Sequence, residues 1–188
     1  MNFKVERGLL VPDHKLIVGG VFRIEHRRIV EEDDFFPKHW ETLSEEDIAN
    51  LVVNQGLNHI LGVEFDGQTA KPNWYLGIFQ GNYSPVASDT AATIYGNATE
   101  CSSYTSATRP PWTPAAPSGQ SITNAANPAI FTFNANVTIY GAFLTSLATI
   151  GGGGGSDILF AAAAFANSKA VSSGDQLLVT YTLNAASA

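Results

Sequence analysis

Ile150–Phe165 read IGGGGGSDILFAAAAF, five consecutive glycines against an almost unbroken apolar run. Three structures suit such a stretch: a phosphate-cradling loop, a flexible linker between domains, or a turn between two buried strands. A phosphate loop needs a glycine-rich turn that opens a helix, and a P-loop adds a Lys-Ser/Thr pair. Here Ser156-Asp157 follows, no lysine does, and the next residues are strand-like. An acidic residue at the anion position repels phosphate. A linker is disfavoured too, because both flanks share one low-charge β character and only about 30 residues remain after it, too few for a typical domain. A loop joining two strands fits best, since glycine takes positive φ at no steric cost. The alanines and phenylalanines after it then fill a thin core, where an opposing sheet or a neighbouring subunit comes close.

Working outward, the flanking segments read as strands. NWYLGIFQ (73–80), IFTFNA (130–135), VTIYGAFLTS (137–146), ILFAAAAF (158–165) and DQLLVTYTLN (175–184) are separated by Asn- or Gly-rich turns. In the last, Leu177, Val179, Tyr181 and Leu183 alternate with Leu178, Thr180 and Thr182, the pattern of a strand with one buried face. Several strands at this spacing, without helical pattern between them, predict a mainly β fold, an antiparallel β-sandwich or a jelly roll. Residues 81–128 are rich in Pro, Ser, Thr and Ala, and TRPPWTPAAPSG (108–119) cannot sit in a central strand. This segment is expected to be an ordered excursion that packs Tyr104 and Trp112 onto the sheet.

The N-terminal part differs. KLIVGGVFRIEHRRIV (15–30) shows partial alternation and predicts a strand pair turning at Gly19-Gly20. SEEDIANLVVNQGLNHIL (44–61) predicts the one α-helix, with Ser44 as cap and Glu45, Glu46 and Asp47 in a first turn that favours negative charge. Ile48, Leu51, Val52, Ile60 and Leu61 then fall near one face. The expected organisation is an extended, mixed arm or small β subdomain over 1–43, then a helix plus β-sandwich over 44–188.

Charge marks the same boundary. Residues 1–71 hold 8 of the 10 Lys and Arg and 13 of the 17 Asp and Glu. Residues 72–188 hold only Asp89, Glu100, Arg109, Asp157, Lys169 and Asp175. That is very low for a free surface, which mixes many charges of both signs. It suits strands whose outer faces carry Thr and Asn, and a protein packed against copies of itself or a partner. A net charge of −7 with no basic stripe argues against nucleic acid. One cysteine, Cys101, excludes an intrachain disulfide and a Cys-pair zinc site. The N-terminus lacks the apolar core of a signal peptide, and the apolar runs are short for a membrane span, so a soluble protein made in a cytoplasm is expected.

The residue patterns of common chemistries are not found. His14, His26, His39 and His59 are scattered without HExxH or i,i+4 pairing. Glu31-Glu32-Asp33-Asp34 lacks the spaced ligands and glycine of an EF-hand loop and reads as a solvated charge run. Cys101 has no nucleophile context, and no GxSxG elbow occurs. Only Asp89, Glu100, Asp157 and Asp175 could supply a carboxylate pair in the β-rich part. The Asn-X-Thr spellings at Asn97 and Asn136 are expected to be chance. Arg109, set between Thr108 and Pro110, could clamp a ligand or bridge subunits; the favoured reading is an arginine stacked on an aromatic and bonded to loop carbonyls.

Five motifs carry a resemblance. They are N-Q-G-L-N (Asn54–Asn58), W-Y-L-G-I-F (Trp74–Phe79), Y-T-S-A-T-R-P-P-W (Tyr104–Trp112), I-Y-G-A-F (Ile139–Phe143) and S-G-D-Q-L-L-V-T-Y-T (Ser173–Thr182). In this order the chain resembles a family of tailed-bacteriophage virion structural proteins, over residues 48–188. The resemblance implies a non-enzymatic role without cofactor or metal, at the capsid surface of a virion, in a protein made in the host cytoplasm. The expected role is a capsid decoration, or cement, protein that binds the major capsid protein and stabilises the head. Self-association as a homotrimer is expected from the three-fold sites of icosahedral lattices. The alternative is a tail, neck or fibre component that contacts host glycans through Trp74, Tyr83, Tyr104 or Trp112. The motifs are packing motifs, and the interface or packing candidates are Trp74, Tyr75, Phe79, Tyr104, Arg109, Trp112, Tyr140 and Phe143. Neither nucleic acid nor membrane is an expected partner.

Overall fold

In the computed structural model of the chain, the structure describes residues 3–6, 9–12, 16–30, 38–152 and 155–187. The alternating C-terminal run organises one sheet. Gln176–Ser187 pairs antiparallel along its whole length with Leu16–Val30, which pairs in turn with His39–Ala49. Short strands Ser121–Thr123 and Ala129–Thr132 complete that sheet on the other edge of the C-terminal strand. In chain order the elements are β1 (Phe3–Glu6), β2 (Leu9–Pro12), β3 (Leu16–Val30), β4 (His39–Ala49), β5 (Leu51–Val52), α1 (Asn54–Phe65), β6 (Trp74–Phe79) and α2 (Ile94–Asn97). There follow β7 (Pro111–Trp112), β8 (Ser121–Thr123), β9 (Ala129–Thr132), β10 (Val137–Thr145), β11 (Leu159–Val171) and β12 (Gln176–Ser187). The second sheet runs β5-β11-β10-β6-β7, and β1 and β2 form a separate hairpin.

The two five-stranded sheets stack face to face. Phe22, Ile24, Leu177, Val179 and Tyr181 from one meet Leu76, Ile78, Ile139, Ala142, Leu144, Ala161 and Ala163 from the other in a single buried cluster. The fold is therefore mainly β, antiparallel and sandwich-like, as expected. The alanine run is the thin wall: Ala161, Ala162 and Ala163 are all buried. The excursion is ordered and covers the far face of the second sheet. Ala91, Ile94, Tyr95 and Ala98 bury Phe79, Phe143, Leu159 and Ala162 there. The phenylalanines of two motifs explain their glycines. The Phe79 ring lies over Gly141, and the Phe143 ring lies over Gly77 on the neighbouring strand. Any side chain at either glycine would occupy the space of the ring.

Two expectations are corrected. Ser44–Ala49 belongs to β4, and α1 begins only at Asn54. The residues alternate as a strand: Ser44, Glu46 and Ile48 stand opposite His26, Ile24 and Phe22. Glu45 and Asp47 point the other way, to Arg23, and Glu46 reaches across to Lys169. Acidic residues that suit a first helical turn are thus used as cross-strand and cross-sheet partners, and tertiary pairing overrides a weak local preference. Leu51 and Val52 form β5, and Leu61 is exposed, so of the expected apolar face only Ile60 packs on the core from the helix, beside Leu57, which lies outside that expected set. The second correction is at Gly19-Gly20, where β3 runs straight through. A Cβ on Gly20 would lie 2.5 Å from the Thr182 carbonyl and 2.7 Å from the Tyr181 hydroxyl. Glycine there permits close approach and makes no turn. The boundary drawn at 43/44 falls inside β4, and β3 shares a sheet with the C-terminal strand.

Candidate functional site

The structure consumes the few charges of the C-terminal part internally. Asp89, Arg109, Lys169 and Asp175 are buried, and the Glu100 side chain is 3% exposed. Asp157, the sixth, is half-buried. Residues 72–188 therefore present an almost charge-free surface of Thr, Ser, Asn, Ala and Pro.

Each buried charge has a structural partner. Arg109 makes a two-pronged contact with Glu100, at 2.6 Å from Nε and 2.8 Å from Nη2, and donates from Nη1 to the Leu147 carbonyl at 2.7 Å. Its guanidinium lies 4.1 Å from the centroid of the Tyr95 ring. Gly152 O accepts a further, longer bond at 3.4 Å, and the Gly151 N–H donates to Glu100 at 2.6 Å. The structural reading of Arg109 is the one observed. The glycine run joins β10 to β11, with Gly151 and Gly155 at positive φ, and the anion that meets its amide is the chain's own Glu100. Gly153 and Gly154 lie outside the described residues.

A second latch holds the Ser172–Gln176 turn. Asp175 accepts from Arg28 Nε at 2.6 Å and Nη2 at 2.7 Å, and from the Ser172 amide at 2.8 Å, with His26 Nε2 at 2.9 Å. Burial pushes the Asp175 carboxyl up, but these bonds, Arg28 foremost, outweigh it and hold the group well below the usual carboxylate range. The same hydrogen bond and charge raise Arg28. Lys169 on β11 bonds Glu46 on β4 at 2.9 Å, across the sandwich. Asp89 accepts from the Tyr83 hydroxyl and from the Val86 amide, inside the excursion. Asp157 contributes its backbone carbonyl to Gln55, whose side chain also accepts from Ala91 and Leu159.

The aromatic candidates divide into two groups. Phe79 and Phe143 are fully buried, Tyr95 and Phe143 are in ring contact at 5.5 Å, and Tyr140 packs on the edge of that cluster. Tyr104 is buried edge-on against Phe131 at 5.0 Å, and burial raises its hydroxyl far above the usual tyrosine value. Trp74 and Trp112 stand opposite each other on β6 and β7, both half-buried, and Tyr75 faces Pro111. Trp112 donates from Nε1 to the Tyr181 carbonyl at 3.1 Å, tying the two sheets together.

Beside the tryptophans lies a half-open cavity of about 230 Å³ between α1, the β6–β7 edge and the β8–β12 edge. His59 lines it, a role with no local signal in the sequence: the wall residues come from seven separate elements and the Ala70–Lys71 loop. A second apolar groove, of about 460 Å³, is lined by Leu16, Ile17, Val18, Leu57, Ile60 and Leu61. Leu16 is 72% exposed and Leu61 54%. His39 is exposed, while His14 and the Glu31–Asp34 run lie outside the described residues. Cys101 is buried, which raises its thiol. Among the described residues, no cluster of three His, Cys, Asp or Glu could hold a metal ion, and no helix is long and apolar enough to cross a membrane. No family model matches the chain, and no curated protein does.

Proposed function

We propose that the chain is a non-enzymatic structural protein of a phage virion: a decoration protein that binds the major capsid protein, stabilises the head and self-associates as a trimer. The charge-free surface over residues 72–188 is the observation that carries this reading. A soluble monomer ordinarily has about 25–35% charged residues on its surface, which keeps copies apart. Here five of the six charges are turned inward, so the surface can be covered by another protein without desolvating an ion. The exposed apolar residues Leu16, Ile17 and Leu61 add area whose burial favours contact. Binding that covers these surfaces stabilises the folded chain and the shell together by mass action. Four of the five motifs supply the Phe–Gly interlocks and the Arg109 and Asp175 latches of a rigid body, which suits this role.

A charge-free contact has a distinctive salt response. Purified chain mixed with heads that lack it should co-sediment saturably, and the bound fraction should persist in 1 M salt, where the screening length falls to about 3 Å. Release at high salt would show that ion pairs, and not this surface, make the contact. Absence of binding to heads at any salt would remove the decoration reading. The alternative, a tail component that binds host glycans, draws support from the half-buried Trp74 and Trp112. It loses Tyr104 to the core, and the Tyr83 hydroxyl is already committed to Asp89.

A further inference from the structure

The cavity beside α1 is built unlike the rest of the surface. Trp74, Trp112 and Phe160 supply aromatic walls, with Trp74 and Phe160 edge-to-face at 5.4 Å. His59 stands among them at 5.8 Å from the Trp74 ring. It is 9% exposed, and no hydrogen bond to its imidazole occurs among the described residues. Lys71 and Glu64 complete the lining on the solvent side and offset each other in charge.

We propose that this cavity binds a neutral aromatic group of phenol or indole size, held against the tryptophans by apolar contact and by one hydrogen bond to His59. The inference is independent of the virion reading. The size fits, since a cavity of about 150 Å³ suffices for benzene. The walls select the chemistry. A sugar would bring several hydroxyls to a cavity with one buried polar group, and most would lose their water partners without replacement. A purely aliphatic group would leave the imidazole unpaired. A ring with a single O–H or N–H satisfies both constraints. Burial, followed by the nearby Lys71 charge, lowers the His59 proton affinity, so a neutral imidazole offers its lone pair to that donor. The same chemistry is found in a free metabolite and in a tyrosyl or tryptophyl side chain of a partner.

The test uses the whole chain, with phenol, indole and benzene as probes and the indole N–H resonances as readout. Trp74 and Trp112 should shift saturably, and Trp40, which lies on β4, should not. His59→Phe should weaken phenol about threefold to tenfold, the worth of one hydrogen bond, and change benzene less than twofold. Val63→Phe, at the cavity wall, should abolish binding of all three. Equal losses for phenol and benzene in His59→Phe, or no saturable shift in the wild-type chain, would overturn the proposal. If His59→Phe does not fold, Val63→Phe decides: binding that survives it overturns the assignment. N-acetyltyrosine amide distinguishes the source. Affinity at or above that of phenol points to a partner's side chain, and weaker binding points to a free small molecule.

Discussion

Replacing Arg109 by methionine keeps the apolar stem of the side chain and removes its charge. Arg109 is fully buried, and its partner Glu100 keeps only 3% of its side chain exposed. The variant therefore leaves a carboxylate in a nearly water-free site, with only the Gly151 amide, among the described residues, still donating to it. Breaking a buried pair from one side costs about 3–5 kcal/mol. For a chain of this size each kcal/mol lowers the melting temperature by about 2–4 °C, so a drop of roughly 10 °C is expected. Glu100→Gln in the same background removes the stranded charge. Replacing both members of a buried pair by neutral groups is often close to neutral, so the double variant should recover most of the loss. Urea unfolding of wild type, both single variants and the double variant closes the cycle, with an unchanged slope confirming that only stability moved. A coupling energy of at least about 2 kcal/mol is expected for groups in such contact. A cost under about 1 kcal/mol for Arg109→Met, or a double variant no better than the single, would refute the claim that Arg109 fastens the glycine loop to the excursion.

Further outcomes follow from the same packing. Asp175 is held below its unfolded value, so the stability it lends is full above about pH 4 and is lost as pH falls through the native value. Asp175→Asn should be less stable than wild type at pH 7 and lose less between pH 5 and 2 in denaturant titrations; parallel curves would contradict this. Gly141→Ala places a methyl group in the space of the Phe79 ring and the Ala163 carbonyl, and should cost about 1–3 kcal/mol by overpacking, measured as a lowered melting temperature. Ala163→Glu buries a charge without a partner and should abolish the soluble fold. Gly152→Ser should melt within a few degrees of wild type, because the added Cβ meets nothing closer than Leu147 at 3.5 Å.

Much of the sandwich is legible in the chain. The alternation from Leu177 to Leu183 places every second residue in the core, and the low-charge runs around the glycines mark the opposing sheet. Arg109 was legible as a loop fastener because an arginine so isolated, near proline and aromatics, has few other uses. The segment Ser44–Ala49 was not legible, since its acidic run satisfies two grammars at once. Only the partners choose between them, and Lys169 lies 123 residues away from Glu46. Gly20 misleads for a similar reason: glycine marks both turns and close approaches, and here Tyr181 supplies the approach. His59 carries no local signal at all, because its surroundings are assembled from α1, β6, β7, β8, β10, β11 and β12. The turning inward of five of the six late charges was half legible: their scarcity could be counted, but their burial depends on pairs such as Arg28–Asp175, drawn from opposite ends of the chain.

On the proposed decoration role, the uncharged surface is covered many times over on a capsid. That role is tested most directly by counting copies of the chain in purified phage particles that contain it, by quantitative gel against the major capsid protein. Decoration requires hundreds of copies per particle, close to a fixed ratio with the capsid protein. A few copies to a few dozen would contradict it and place the chain in the tail or neck.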